Sequence, residues 1–129
     1  MKYKDFEVKL KTNQTCEELW KKINTPKKLI KLEDFPKGSN VKKISENNYE
    51  LNFGKRFGFL TFIPYKGVNM TFIQDKDSSL AWFEIKGKKN CIIVHGTSVR
   101  MDVDKGKWYK ENKIKMSKHF MEELTEWAK

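Results

Sequence analysis

The middle of the chain, from residue 41 to residue 103, consists of short runs in which apolar and polar residues alternate. The runs cover residues 41–44, 49–53, 57–63, 68–74, 80–86 and 91–103. Only short turn-forming segments separate them, such as Gly54-Lys55, residues 75–78 and residues 87–90. Alternation with a period of two is typical of half-buried strands, and connections this short join neighbouring antiparallel strands. The pattern therefore predicts a meander of six consecutive antiparallel strands.

A further strand and a short helix precede the meander. Residues 4–11 alternate between apolar and charged side chains, which predicts a half-buried strand. Residues 16–23 have helical spacing and follow Thr15, a residue type that favours the N-cap. Glu18 stands three positions after Thr15, so the two residues are expected to form a capping box.

The first helix is predicted to stop after about two turns, and a second one to begin at once. Thr25-Pro26 supplies a second N-cap and a proline at the first helical position, where its missing N–H costs nothing. The second helix should end at about Glu33, before Phe35-Pro36. Two short helices in succession let the chain turn round the end of a curved sheet, which one straight helix could not do.

The C-terminal part of the chain, residues 105–129, returns to helical periodicity. One narrow arc of the helical wheel carries Tyr109, Met116, Phe120, Leu124 and Trp127. We expect a single helix from about residue 105 to residue 127, roughly 35 Å long at 1.5 Å per residue. A helix of that length is expected to lie along the concave face of the whole sheet.

This order of elements resembles the helix-grip fold of the START-related superfamily (SRPBCC), which includes the major birch-pollen allergen, START lipid carriers and polyketide cyclases. The segments that carry the resemblance are CEELWKKINTPKKLIKL, NYELNF, FLTFIPYKGVNMTFIQ and HGTSVRMDV. Within them, Leu19-Trp20, the restart at residues 25–29 and Gly96-Thr97 match features usual in that superfamily. The resemblance implies one α+β domain over residues 1–129, with a curved antiparallel sheet of about seven strands in the order β-α-α-β6-α.

The resemblance also implies a ligand cavity between the sheet and the C-terminal helix. The candidate lining residues are Phe59, Met70, Phe72, Trp82, Glu84, His95, Tyr109, Met116 and Phe120. Methionine and aromatic side chains suit a pocket that adapts to apolar ligands. The same residue types also fill ordinary cores, so a closed core is the competing interpretation. The chain is shorter than START lipid carriers, which argues against a sterol-sized or phospholipid-sized cavity.

Two polar residues in the predicted strands allow either a structural or a functional interpretation. His95 follows the apolar run Ile92–Val94, where it is either a hydrogen-bonded sheet residue or a cavity group that orients a ligand or moves a proton. Glu84 shares a face with Leu80 and Trp82 by alternation. It is a polar anchor if that face lines the cavity, and a solvated side chain if it does not.

Metal ligands are scarce in the sequence. His119 and Glu123 are one helical turn apart and could supply two ligands, whereas zinc sites usually take three or four. Because the pattern offers no third ligand, we expect no metal and no cofactor. The favoured interpretation of His119 and Glu123 is a surface pair.

The cysteines and the N-terminus bear on the cellular compartment. Cys16 and Cys91 are the only two cysteines and lie far apart in sequence, so we expect reduced thiols. The N-terminal residues show no secretion signal, and no apolar run approaches the ~20 residues of a membrane span. These features predict a cytoplasmic protein.

The chain of 129 residues carries a net charge of +10, which raises the question of an anionic partner. The excess is almost all lysine, spread along the whole chain, and Arg56 and Arg100 are the only arginines. Because nucleic-acid readers usually rely on arginine, we expect a solvated surface and no specific nucleic-acid partner. Ile114 and Met121 lie off the main apolar arc, and either form a weak homodimer contact or mark the edge of the helix–sheet packing.

Three classes of function remain. The favoured one is binding of a small hydrophobic or aromatic molecule, lipid-like or polyketide-like, in the cavity. The second is an enzyme of cyclase or dehydratase type that uses His95, Glu84 or Tyr65. The third is an interaction domain that acts through its lysine-rich surface, on a protein partner as in the heat-shock ATPase activator branch or on nucleic acid.

Overall fold

The computed structural model describes residues 2–33, 35–36, 38–54, 56–74 and 77–129. Lys55 and residues 75–76, which fall in two of the predicted turns, lie outside the described residues. The strands are β1 (Tyr3–Lys11), β2 (Asn40–Ser45), β3 (Asn48–Phe53), β4 (Arg56–Ile63), β5 (Gly67–Gln74), β6 (Asp77–Lys86) and β7 (Ile92–Arg100). The helices are α1 (Cys16–Lys21), α2 (Pro26–Glu33), α3 (Asp104–Glu111) and α4 (Lys113–Ala128).

The strands form an open, curved antiparallel sheet of seven strands in the order β1-β7-β6-β5-β4-β3-β2. The predicted meander is confirmed, because each strand from β2 to β7 pairs with the next along the chain. β1 pairs with β7 along its whole length, from Tyr3 opposite Arg100 to Lys11 opposite Ile92. β1 and β2 therefore lie at opposite edges, and α1 and α2 carry the chain between them.

The two short helices begin at the predicted caps. The Glu18 amide donates to Thr15 Oγ1 at 3.1 Å, and the Thr15 hydroxyl donates to Glu18 Oε1 at 3.1 Å. The Lys28 amide donates to Thr25 Oγ1 at 3.3 Å at the start of α2. Local hydrogen bonds of this kind satisfy amides that have no partner inside the helix, so the break between α1 and α2 is fixed by nearby residues.

The core lies between the inner face of the sheet and the helices. In α4, the predicted arc is buried through Met116, Phe120, Leu124 and Trp127. Trp127 also donates its Nε1–H to the Leu19 carbonyl at 2.9 Å, which ties the end of α4 to α1. The strands contribute mainly Leu51, Leu60, Phe62, Val68, Met70, Phe83, Ile85 and Ile93.

The prediction of one continuous C-terminal helix is wrong, because the helix is interrupted at Asn112. The backbone of Asn112 leaves the helical region at φ −116° and ψ 28°, and its side-chain amide donates to the Trp108 carbonyl at 2.8 Å. Side-chain hydrogen bonds of this type compete with the helical backbone. Gly106 seats α3 against the end of β7, where a Cβ atom would stand only 2.4 Å from the Arg100 carbonyl oxygen. Beyond the interruption, α4 contacts both β1 and β7.

Ile114 and Met121, the two apolar residues of α4 outside its main apolar arc, differ in their exposure. Ile114 is 89% exposed, whereas Met121 packs at the edge of the core. The weak homodimer stays a prediction that rests on Ile114 alone. Within the described part of the chain, no helix is long and apolar enough to cross a membrane.

The expectation of reduced thiols is wrong, because Cys16 and Cys91 form a disulfide with a Cα–Cα distance of 5.7 Å. The two residues are 75 positions apart in sequence, but the pairing of β1 with β7 brings their segments together. The Cys91 amide donates to the Gln14 carbonyl, and the Thr12 amide donates to the Cys91 carbonyl, each at 3.0 Å. The inference of a cytoplasmic location from free cysteines therefore loses its basis.

We expect reduction of this disulfide to lower the free energy of unfolding by about 2–4 kcal/mol, because the cross-link closes a long loop in the unfolded chain. Urea unfolding of the wild-type protein with and without dithiothreitol measures the difference. The variant Cys16→Ala/Cys91→Ala is the control, and its stability should not respond to the reductant. Equal stability of the oxidised and reduced wild-type proteins would contradict the prediction.

Candidate functional site

A cavity of about 340 Å³ lies between the inner face of the sheet and helices α2, α3 and α4. Its apolar wall is made mostly of rings and includes Phe35, Phe53, Phe72, Ala81, Tyr109 and Phe120. Phe35, Phe53 and Phe72 contact one another, with ring centroids 5.5 to 6.1 Å apart. The lining also contains the polar residues Glu33, His95, Thr97, Lys105, His119 and Glu123.

His95 occupies the centre of the polar part. It projects from β7 on the inner face and is only 2% exposed. Its ring stacks on Phe83 with a centroid distance of 4.1 Å and lies 4.2 Å from the centroid of Phe120. Its Nδ1 atom is 2.9 Å from the Trp82 carbonyl oxygen. A carbonyl can only accept a hydrogen bond, so Nδ1 carries the proton and Nε2 of the neutral ring presents a lone pair.

Two buried carboxylates face that lone pair. Glu33 Oε1 lies 3.4 Å from His95 Nε2, and Glu123 Oε2 lies 3.6 Å from it. The side chains of Glu33 and Glu123 are only 16% and 8% exposed. Among the described residues, neither of these two oxygen atoms has a hydrogen-bond partner. Three groups that ordinarily accept hydrogen bonds or coordinate cations therefore converge on one point.

Each member of this cluster comes from a different element. Glu33 is the last residue of α2, His95 lies in the middle of β7, and Glu123 lies in the third turn of α4. His119 is one turn before Glu123 on α4 and contacts its other oxygen, Oε1, through Nε2 at 2.9 Å. The predicted contact between His119 and Glu123 is present, but the expectation of a surface pair is wrong for Glu123, whose side chain is buried. The contact through Oε1 leaves Glu123 Oε2 near His95.

Burial changes the protonation of these groups. Burial is the largest cause that raises the pKa of Glu33, to about 8, and the neighbouring Glu123 carboxylate raises it further, against the opposing effect of His95. Burial also raises the pKa of Glu123 and lowers the pKa of His95. All three shifts favour uncharged groups, as expected where water is excluded. In the absence of a bound cation, the cluster therefore tends to hold a carboxyl proton and a neutral imidazole.

Further polar groups line the cavity beside this cluster. Lys105 donates from Nζ to Ser79 Oγ at 3.1 Å, and Thr97 donates to the Leu80 carbonyl at 2.8 Å. Tyr109 is half-buried beside them, and burial raises the pKa of its hydroxyl. The site thus combines an aromatic wall with groups able to accept, donate or transfer a proton.

The predicted site residues separate into three groups. Phe72, His95, Tyr109 and Phe120 line the cavity. Met70 is fully buried in the main core, and Met116 belongs to a smaller cluster with Phe6, Val99 and Phe120. Neither methionine is among the residues that line the cavity.

The structure contradicts the placement of Phe59, Trp82 and Glu84, which lie on the outer face of the sheet. Alternation puts Phe59 opposite to the buried Leu60, and its side chain is 38% exposed. Trp82 donates its Nε1–H to Glu7 Oε2 at 3.1 Å, and its ring covers Gly96, where a Cβ atom would stand 2.5 Å away.

Glu84 pairs with Lys86 at 3.4 Å on the same outer surface. Of the two interpretations of Glu84, the solvated side chain is therefore correct and the polar anchor in the cavity is not. Large apolar residues occur on both faces of this sheet, and alternation alone does not say which face is inside.

Glu33 was not predicted as a site residue, and Glu123 was considered only together with His119, not as a neighbour of His95. Glu123 lies three residues after Phe120 and four before Trp127, so it stands inside the apolar arc of α4. A charged residue in that position is a usable signal of a buried polar site. Glu33 has no comparable signal, because the last residue of an amphipathic helix is commonly charged.

No protein-family model matches the chain, and no curated protein matches it in sequence. Solved structures nevertheless share its fold. The di-domain ARO/CYC protein BexL from the BE-7585A biosynthetic pathway superposes with a TM-score of 0.71 at 5% identity, over 98% of this chain and 49% of BexL. The chain thus spans about half the length of that two-domain protein.

Two shorter proteins match over most of their length. Norcoclaurine synthase from Thalictrum flavum, solved with dopamine and hydroxybenzaldehyde, gives a TM-score of 0.59 at 14% identity, over 98% of this chain and 84% of the synthase. Protein MLL2253 from Mesorhizobium loti gives 0.64 at 14% identity, over 96% of each chain. These similarities confirm the expected helix-grip fold.

The two phenylalanines that contact His95 should differ in their importance for stability. Phe83 is fully enclosed between His95 and Trp127, so Phe83→Ala should lower the free energy of unfolding by about 3–5 kcal/mol. Phe120 borders the cavity, so Phe120→Ala should cost less than that range. Urea unfolding of both variants measures the contrast, and equal losses would indicate that no cavity exists beside Phe120.

Proposed function

We propose that this helix-grip protein binds a small aromatic molecule with a polar substituent in the cavity beneath α4. The observation that carries the proposal is the composition of the lining, which combines several aromatic rings with the buried cluster of Glu33, His95 and Glu123. Sites for small molecules are commonly apolar with a few polar groups that fix the orientation of the ligand.

The size of the cavity limits the ligand. A volume of about 340 Å³ is near the lower end of the range of roughly 300–1,000 Å³ found for ligand pockets. This favours a molecule of one or two rings over a sterol or a phospholipid. Burial of about ten ligand carbons at ~0.8 kcal/mol per CH₂ contributes about 8 kcal/mol, the free energy of micromolar binding before the cost of association is subtracted. Hydrogen bonds to the polar groups of the cavity must therefore offset that cost.

The polar wall favours ligands that donate hydrogen bonds. His95 Nε2 and the facing oxygen atoms of Glu33 and Glu123 are acceptors in their unprotonated forms. A phenolic hydroxyl or an amine on the ligand would satisfy them. The structure of norcoclaurine synthase holds dopamine and hydroxybenzaldehyde, aromatic molecules of this kind, which supports the proposal by analogy of fold.

Acid–base catalysis is the second candidate, and the same cluster favours it. A buried imidazole beside a carboxyl group can transfer protons to and from a ligand in the cavity. The enzyme would use His95 with Glu33 or Glu123, because Glu84 lies on the outer face and Tyr65 does not line this cavity. The similarity to an ARO/CYC protein is consistent with this class.

Filling the cavity tests the ligand-binding proposal. We expect one- and two-ring phenols and aromatic amines to raise the melting temperature of the EDTA-treated protein by several degrees, because a ligand at 100 times its Kd adds ~2.7 kcal/mol. Ala81→Leu introduces bulk into the cavity and should abolish the shift. Thr71→Leu is the matched control, since Thr71 pairs with Leu80 on the outer face and should leave ligand binding intact.

Calorimetric titration of the same ligands gives the affinities directly. The proposal fails if no ligand of this class binds the wild-type protein. It also fails if Ala81→Leu and Thr71→Leu bind the ligand equally well, since the ligand would then lie elsewhere on the molecule.

A further inference from the structure

The convergence of His95, Glu33 and Glu123 has a second consequence that aromatic-ligand binding does not require. Three atoms with lone pairs lie within 4.8 Å of one another: one imidazole nitrogen and one oxygen of each carboxylate. The side chains of His95 and Glu123 are 98% and 92% buried. Among the described residues, Glu33 Oε1 and Glu123 Oε2 have no hydrogen-bond partner. Buried polar atoms normally have partners, so an arrangement of this kind calls for an explanation.

We propose that Glu33, His95 and Glu123 form a binding site for one divalent transition-metal ion. Imidazole nitrogen with carboxylate oxygen is a ligand set that Zn²⁺ and its neighbours in the first transition row accept. Two carboxylates would neutralise the charge of the ion, which makes burial of all three ligands acceptable. The site would hold three protein ligands and leave a fourth position towards the cavity.

Two of the three distances between the proposed ligand atoms match metal coordination, and the third, between the two carboxylate oxygens, is within 4.8 Å. Tetrahedral ligands that are each ~2.1 Å from a zinc ion lie about 3.4 Å from one another. The distances from His95 Nε2 to Glu33 Oε1 and Glu123 Oε2 are 3.4 and 3.6 Å. A proton shared between an oxygen and a nitrogen would draw the two atoms to within about 3.2 Å.

The surrounding groups orient the ligands as metal sites require. The Trp82 carbonyl accepts from Nδ1–H of His95 at 2.9 Å, which fixes the tautomer with Nε2 available for coordination. His119 Nε2 lies 2.9 Å from Glu123 Oε1 and holds the other oxygen, Oε2, towards the site. Hydrogen bonds of this kind orient the residues that coordinate a metal ion. His119 is accordingly a positioning residue.

Titration of Zn²⁺ into the full-length, EDTA-stripped protein tests the site, with Co²⁺ as the spectroscopic probe. We expect one ion per chain and a Co²⁺ spectrum with the intense visible bands of tetrahedral coordination. No free cysteine is present in the described residues, so thiolate binding does not compete in the oxidised protein. Calorimetry and visible absorption then report on the same event.

Substitutions separate the proposed site from the protein surface. Glu33→Gln and Glu123→Gln should each weaken Zn²⁺ binding by more than about 100-fold, because loss of a supporting outer group alone costs 10–100-fold. Both replacements preserve size and remove a buried charge, and circular dichroism verifies that the variants fold. Glu122→Gln, on the exposed face of the same helix, is the matched control and should bind as the wild type does.

Two outcomes would overturn the proposal. One is the absence of stoichiometric binding at millimolar Zn²⁺. The other is binding that survives Glu33→Gln but is lost in His119→Gln, since the ion would then occupy a surface pair on α4. Aromatic ligands are tested in EDTA, so failure of the metal site and failure of the proposed function are distinguishable.

Discussion

The pairing of β1 with β7 is the interaction on which the rest of the structure depends. It joins the beginning of the chain to the last strand of the meander over nine residue pairs. Because β2 begins at the opposite edge of the sheet, the chain must cross the end of the sheet through α1 and α2. The same pairing brings Cys16 to Cys91 and sets β1 beneath α4. The disulfide, the path of α1 and α2, and the position of β1 beneath α4 therefore all depend on this strand pairing.

The buried cluster of Glu33, His95 and Glu123 is the feature that packing alone does not explain. A core of this size would be more stable with apolar residues at these positions, because burial of carboxyl groups opposes folding. Here three separate elements deliver these groups to one point at the wall of a cavity, and the backbone of β6 and the side chain of His119 orient them. Polar groups retained at such a cost are typical of functional sites.

Much of the fold was predictable because its signals are local. Alternation identified the strands, and Thr15 and Thr25 located the starts of both short helices, since caps act through residues within one turn. The arc of Met116, Phe120, Leu124 and Trp127 identified the buried face of α4. The break at Asn112 was missed because the apolar periodicity continues across it, from Tyr109 to Met116.

The sequence by itself determined the order and type of the elements, the helix caps and the presence of a polar residue at position 95, because these depend on neighbours along the chain. Only the tertiary structure decided which face of the sheet is inside, and so placed Phe59, Trp82 and Glu84 outside and His95 within. It alone joined Cys16 to Cys91 and brought Glu33 and Glu123 to His95. Contacts between residues distant in sequence depend on strand register and helix placement, which no single stretch of the chain encodes.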